Sequence, residues 1–183
     1  MAISKKEQRQ VIDRVFILLG VVTMAVLLVA GAIAWRGYDF ATTQVKTELS
    51  SQKIYFPEKG SPALNPAEYP DLQKYAGQLV DDGEKAKAYA NGFIGRHLEK
   101  IAGGKTYSEV SALAMKDPTN QKLQAQKQTL FQGETLRGLL LSAGYSYWTM
   151  GMLAKDAAIA FFTGVAVMAV LVIMGLVRIA RQR

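Results

Sequence analysis

His97 is the one histidine of the chain and no cysteine is present, so it is the first residue to weigh as a general base or metal ligand. It lacks a second histidine or a thiolate to share a metal. It also falls on an apolar helical stripe, which predicts a hydrogen-bonded packing histidine. Asp81, Asp82 and Glu84 gather three carboxylates in a short stretch, the kind of grouping that serves a metal or acid/base chemistry. Their position between two helical patterns predicts instead a turn with helix N-terminal charge. Gly103-Gly104-Lys105-Thr106 has the ending of a phosphate-binding loop, but the pattern's first glycine is replaced by Glu99, and the backbone cradle is not encoded. These residues predict no catalytic constellation, no cofactor and no metal site. Without cysteine, disulfides and thiol chemistry are excluded outright.

The elements that carry these residues are dominated by two uncharged apolar runs of 21 residues, Val15 to Trp35 and Ala157 to Val177. At 1.5 Å per residue each spans roughly 30 Å as a helix, the hydrocarbon thickness of a bilayer. Lys5, Lys6, Arg9 and Arg14 precede the first run, and Arg178, Arg181 and Arg183 follow the second. By the positive-inside rule both termini are expected in the cytoplasm of a plasma membrane. With Glu7 and Asp13 subtracted, the two tails supply +5 of the formal net charge of +7. The basic balance is thus a topology signal, and nucleic acid is not an expected partner. Ala32-Ile33-Ala34 has the small residues of a signal-peptide site, but the apolar stretch before it exceeds the usual h-region, so the first run is expected to stay as an anchor.

The expected organisation is a basic cytoplasmic tail (1–14), a first span (15–35), an extracytoplasmic helical domain (36–156), a second span (157–177) and a second basic tail (178–183). Ala41, Val45 and Leu49 continue the first helix outward to about Ser50-Ser51. Lys53 to Phe56 is β-like but too short for a sheet, and 57–70 is a proline-rich loop. Leu72, Tyr75, Ala76 and Leu79 have helical spacing. A helix from about Glu84 to Ala102 carries Ala86, Ala90, Phe93, Ile94, His97, Leu98 and Ile101 on one stripe. Gly103-Gly104 closes it, Thr106-x-x-Glu109 is a capping box for a short helix to about Lys116, and Asp117-Pro118 is expected to open the last helix. That helix is expected to run into the second span, bent near Gly138, Gly144 or Gly151. The competing reading of 138–154 as a third or re-entrant span leaves only Lys155 and Asp156 for a turn.

Polar groups in the spans are limited to Thr23 and Thr163, which argues against transport by a single copy. Small residues one turn apart, Ala30 with Ala34 and Ala160 with Gly164, are candidate helix-packing positions. Leu139, Leu140, Tyr145, Tyr147, Trp148 and Met152 are the candidate partner or lipid interface, because aromatics and aliphatics concentrate there beyond what one helix covers.

Gly103-Gly104-Lys105-Thr106-Tyr107, Asp117-Pro118, Leu136-Arg137, the Leu49 to Pro57 segment, the alanine-rich helix ending in His97-Leu98 and the final span together resemble a family of actinobacterial two-span membrane proteins of unknown function. The resemblance covers most of the outer domain. It implies a bacterial plasma membrane and supplies no catalytic residues. Some members are labelled aromatic-ring-opening dioxygenases, whose iron needs two histidines and a carboxylate; one histidine contradicts that label here.

The expected fold is an all-α membrane protein, two transmembrane helices with a helical extracytoplasmic domain built partly on their extensions. The expected function is that of a non-enzymatic interaction protein: an accessory subunit of a larger membrane assembly, or a sensing and scaffolding module. Its partners are the lipid bilayer and other membrane subunits, in a hetero- or homo-oligomer. The alternative is a subunit of a homo-oligomeric channel.

Overall fold

The computed structural model describes residues Lys5–Arg181, with side chains from residue 8 onward. The side chains of Lys5 and Lys6, and Arg183, which enter the charge argument above, lie outside the described residues. Within them the chain is mainly α-helical: α1 (Lys5–Ser51), α2 (Gly83–Lys87), α3 (Arg96–Ala102), α4 (Tyr107–Lys116), α5 (Gln121–Leu139) and α6 (Tyr147–Arg181), with loops and short 3₁₀ turns between α1 and α2. Wide-turn helical segments, Ala88–Gly95 and Leu140–Ser146, join α2 to α3 and α5 to α6. The only extended pairing among the described residues is an isolated antiparallel bridge between Tyr55 and Leu79.

The chain divides into two compact units, residues to Phe40 with those from Gly151, and Ala41–Met150. The first is a pair of helices. Both α1 and the stretch Gln121–Arg181 are long and apolar enough to cross a membrane, and only 11% and 6% of their most apolar windows is buried, which is unlike a core helix of a soluble domain. The two segments run antiparallel: Ile17 meets Gly175, Gly20 meets Val172, Leu27 meets Gly164 and Gly31 meets Phe162. The sheltered positions of α1 include the series 13, 17, 20, 24, 27, 31, 34 and 38, with 30 beside it, and those of α6 from 158 onward include 158, 161, 165, 168, 172, 175 and 179, with 164 and 169 beside it. Steps alternating between three and four residues are the 3.5-residue period of a left-handed coiled-coil seam. Glycines set its closeness, since a Cβ on Gly20 would lie 2.6 Å from Val172 Cγ2 and one on Gly31 2.7 Å from Phe162 Cε1.

The second unit has its own core, in which Phe56, Leu64, Leu72, Val80, Leu130 and Leu140 are almost fully buried. The proline-rich loop is ordered by it: Leu64 and Tyr69 are buried, and Gln73 Nε2 donates to the carbonyls of Leu64 and Tyr69. Phe56 stacks on Tyr75 and meets Tyr89 edge-on, so aromatic contacts tie the loop to the helix behind it. Arg96 adds a two-pronged bond to Asp71 at 2.7 and 2.9 Å, and Lys100 pairs with Glu68.

Three expectations need correction. Residues 71–80 do not form a helix beyond the short 3₁₀ turn Pro70–Tyr75. The backbone turns at Gly77, with φ +69°, so that Gln78 and Val80 can bond to Phe56 and Ile54; extended pairing across the core wins over the helical spacing. The last helix does not open at Asp117-Pro118. Asp117 ends α4 and accepts from Thr119 and Asn120, while the cap is Asn120, whose Oδ1 accepts from the Leu123 N–H. Finally, the stripe on the 84–102 helix is narrower than expected. The buried row is Ala86, Ala90, Ile94, Leu98 and Ala102, at constant steps of four, which in an ordinary α-helix over-rotate by about 40° each. The wide segment Ala88–Gly95 removes that excess, keeps the row in line and turns His97 outward, where it is exposed.

Other sequence signals match the structure. Thr106 and Glu109 form the reciprocal capping box and Gly103 closes α3 with φ 58°. Lys155 and Asp156 lie inside α6, so there is no turn for a re-entrant segment at 138–154. The departure from regular α geometry falls at Leu140–Ser146, around Gly144.

Candidate functional site

The residues that could do chemistry are dispersed. His97, exposed on α3, makes no hydrogen bond among the described residues, contrary to the expected packing role. The acidic turn is organised as a helix start: Asp82 Oδ1 accepts from the Lys85 N–H at 2.8 Å, and Lys85 Nζ pairs with Asp81 and Asp82. Lys105 and Thr106 line a polar hollow with Glu134 and Arg137. The N-terminus of α4 beside them is occupied by the protein's own Glu109, which accepts from the Thr106 N–H at 2.7 Å. That bond, with a second from the Thr106 hydroxyl, holds the Glu109 carboxyl below its ordinary range.

The residues expected at a partner interface separate into two sets. Leu140 is 1% exposed and belongs to the core. Trp148 packs partly buried against the core, and its Cβ and Cγ come so near Gly83 that a Cβ there would lie 2.3 and 2.4 Å away. Leu140 is therefore not surface available to a partner, and Trp148 is so only in part. Tyr145 is half-buried and engaged with Lys87, which donates to its hydroxyl at 3.0 Å. That bond lowers the phenol's pKa from its usual value and raises that of the ammonium. Met152, in the other unit, is half-buried. Leu139 and Tyr147 remain exposed, at 59% and 38%.

Leu139 and Tyr147 are two edges of one feature. An apolar groove of about 340 Å³ has Val45, Leu49, Leu140 and Gly144 as its floor. Gln44, Glu48 and Gln52 form one wall, and Leu139, Ala143 and Tyr147 the other. The floor exists because Gly144 sits close to its neighbours: a Cβ there would be 3.0 Å from Ala86 Cβ and 3.6 Å from Leu49 Cδ1. Steps of four from 139 to 143 to 147 again need the wide turn to stay on one face. The polar wall is tied by Gln44 Nε2 donating to Glu48 Oε1 at 3.0 Å. A groove with an apolar floor and one polar wall can accept a half-apolar helix or strand.

The expected helix-packing pairs are placed unevenly. Ala30, Ala34 and Gly164 are half-buried, and Gly164 faces Leu27, but Ala160 is exposed. The small residue buried on that turn is Ala158, at 0% exposure. Gly20, Gly31 and Gly175 make the tighter approaches; the signal that would have found them is the three-four alternation of the seam, which a search for small residues four apart does not detect. Thr163 gives its hydroxyl proton to the Ile159 carbonyl at 2.8 Å, so the helix satisfies it without a cargo. Compared with family models, with curated proteins and with solved structures, the chain matches none.

Proposed function

We propose that this is a membrane-anchored, non-enzymatic interaction protein, with both termini in the cytoplasm and an extracytoplasmic unit that docks another subunit of a membrane assembly. The observation that carries it is the groove floored by Val45, Leu49, Leu140 and Gly144, whose exposed wall of Leu139 and Tyr147 leaves apolar surface uncovered in the single chain. The seam between α1 and α6 supports it from the other side. No polar or charged residue is fully buried among the described residues, which disfavours a solitary transporter.

The test uses the full chain extracted in mild detergent, followed by gel filtration and mass spectrometry of what co-purifies. A stoichiometric partner lost in Leu139→Asp and Tyr147→Asp, with the monomer still folded by circular dichroism, supports the reading. A clean monomer overturns it. A homo-oligomer of fixed stoichiometry that conducts ions in planar bilayers replaces it with a channel.

A further inference from the structure

At the end of the helix pair where α1 begins and α6 finishes, two apolar hollows meet. One, of about 430 Å³, is walled by Phe16, Gly20, Met174 and Gly175 with Asp13 and Arg178 at its mouth. The other, of about 460 Å³, is walled by Met174 and Val177 with Arg178 and Arg181 at its mouth. Met174 divides them and Arg178 belongs to both. Arg178 Nε lies 3.5 Å from Asp13 Oδ2, an ion pair without a hydrogen bond, and its side chain is 60% exposed while that of Asp13 is 14% exposed. Asp13 thus steadies the guanidinium from inside without covering it. Arg9 and Arg14, also exposed, stand on the same end of α1, so basic residues there outnumber the carboxylates of Glu7 and Asp13.

We propose that this end binds one anionic diacyl phospholipid, its phosphate on Arg178 and Arg181 and its two tails in the two hollows. The inference rests on the membrane reading above, and the match is between one cationic mouth and one phosphate, and between two apolar hollows and two chains. A guanidinium fork suits phosphate oxygens better than an ammonium does, and all the other wall groups named are apolar or lack a side chain. Asp13 adds a geometric demand, because it occupies the Nε side and leaves the terminal nitrogens for the ligand.

The experiment is native mass spectrometry of the full chain released from nanodiscs of equal phosphatidylglycerol and phosphatidylcholine, beside a carbonate wash of membranes holding the same protein. One retained phosphatidylglycerol, favoured at least fivefold over phosphatidylcholine and reduced to parity in R178Q/R181Q, is the expected result. R178K/R181K should recover only part of the preference. Equal retention of both lipids, a preference unchanged in R178Q/R181Q, or complete displacement by millimolar inorganic phosphate overturns the lipid site. Release of the protein by carbonate overturns the membrane reading beneath it, a separate and recognisable failure.

Discussion

Arg137 Nε donates to the carbonyl oxygen of Ala90 at 3.1 Å, inside the wide-turn segment that brings α2 to α3. Its Nη2 donates to Asn91 Oδ1 at 3.1 Å, and its Nη1 is held by Glu134 at 2.9 to 3.0 Å. One side chain on α5 therefore supports the distorted backbone of the helix it packs against. The wide turn is what lines up the buried row from Ala86 to Ala102, so the core geometry depends on this contact. Arg137→Met should lower the unfolding free energy by about 1–3 kcal/mol, the cost of leaving the part-buried Ala90 carbonyl without its donor. Arg137→Lys should recover little, because an ammonium cannot bond Ala90, Asn91 and Glu134 from one plane. Denaturant titration of the full chain in micelles, followed by circular dichroism, reads both.

Two glycines should respond with opposite signs. Gly83→Ala drives a methyl into the Trp148 Cβ and Cγ, near the backbone, where the ring cannot swing away cheaply; a loss of about 1–3 kcal/mol is expected. Gly138→Ala meets nothing within 4 Å in a helix interior, so it should stabilise by about 0.5–1 kcal/mol. Thermal melts of the two variants beside the parent test the pair together.

Acid should loosen the loop that Arg96 and Lys100 hold. The bond from Arg96 keeps the Asp71 carboxyl below its ordinary value, and Glu109 is depressed by the Thr106 N–H. A depressed folded value gives stability that is complete above the unfolded values, about 3.9 for Asp and 4.3 for Glu, and is lost as pH falls through the folded ones. Melting temperature should therefore be flat from pH 7 to about 5 and fall below about 4. Asp71→Asn should start lower at neutral pH and show a shallower acid limb. Because Asp71 is over half exposed, molar salt should shrink the difference between the two proteins.

The absence of cysteine makes the seam open to background-free cross-linking. Leu27→Cys with Gly164→Cys should form an intramolecular disulfide readily, since those positions face each other. Ala30→Cys with Ala160→Cys should not, because position 160 is turned outward. Gel mobility before and after reduction distinguishes them; cross-linking of the second pair in preference to the first would reverse the register described.

The helical class, the capping box at Thr106 and Glu109, the glycine closure at Gly103 and the run of helix into the final apolar stretch were legible because each depends on neighbours within one or two turns. His97, which is exposed, and Leu140, which is buried, differ from expectation for another reason. Sequence periodicity assumes 3.6 residues per turn, and the two wide segments, Ala88–Gly95 and Leu140–Ser146, break that assumption. Leu79 looked helical because its spacing is helical, but its backbone partner, Tyr55, is distant in sequence. The groove escaped notice because its floor joins Val45 and Leu49 to residues almost a hundred positions later.

On the membrane-spanning reading proposed above, the three-four alternation along α1 and α6 also restricts how this protein could be adapted to a bilayer of another thickness. Adding one residue to either helix turns everything beyond it by about 100° and takes the glycines off their partners. Adding seven to each restores the seam. Length is therefore adjustable only in matched steps of about 10 Å, coarser than the few ångströms by which natural membranes differ, and smaller mismatches must be met by tilting the pair as a whole.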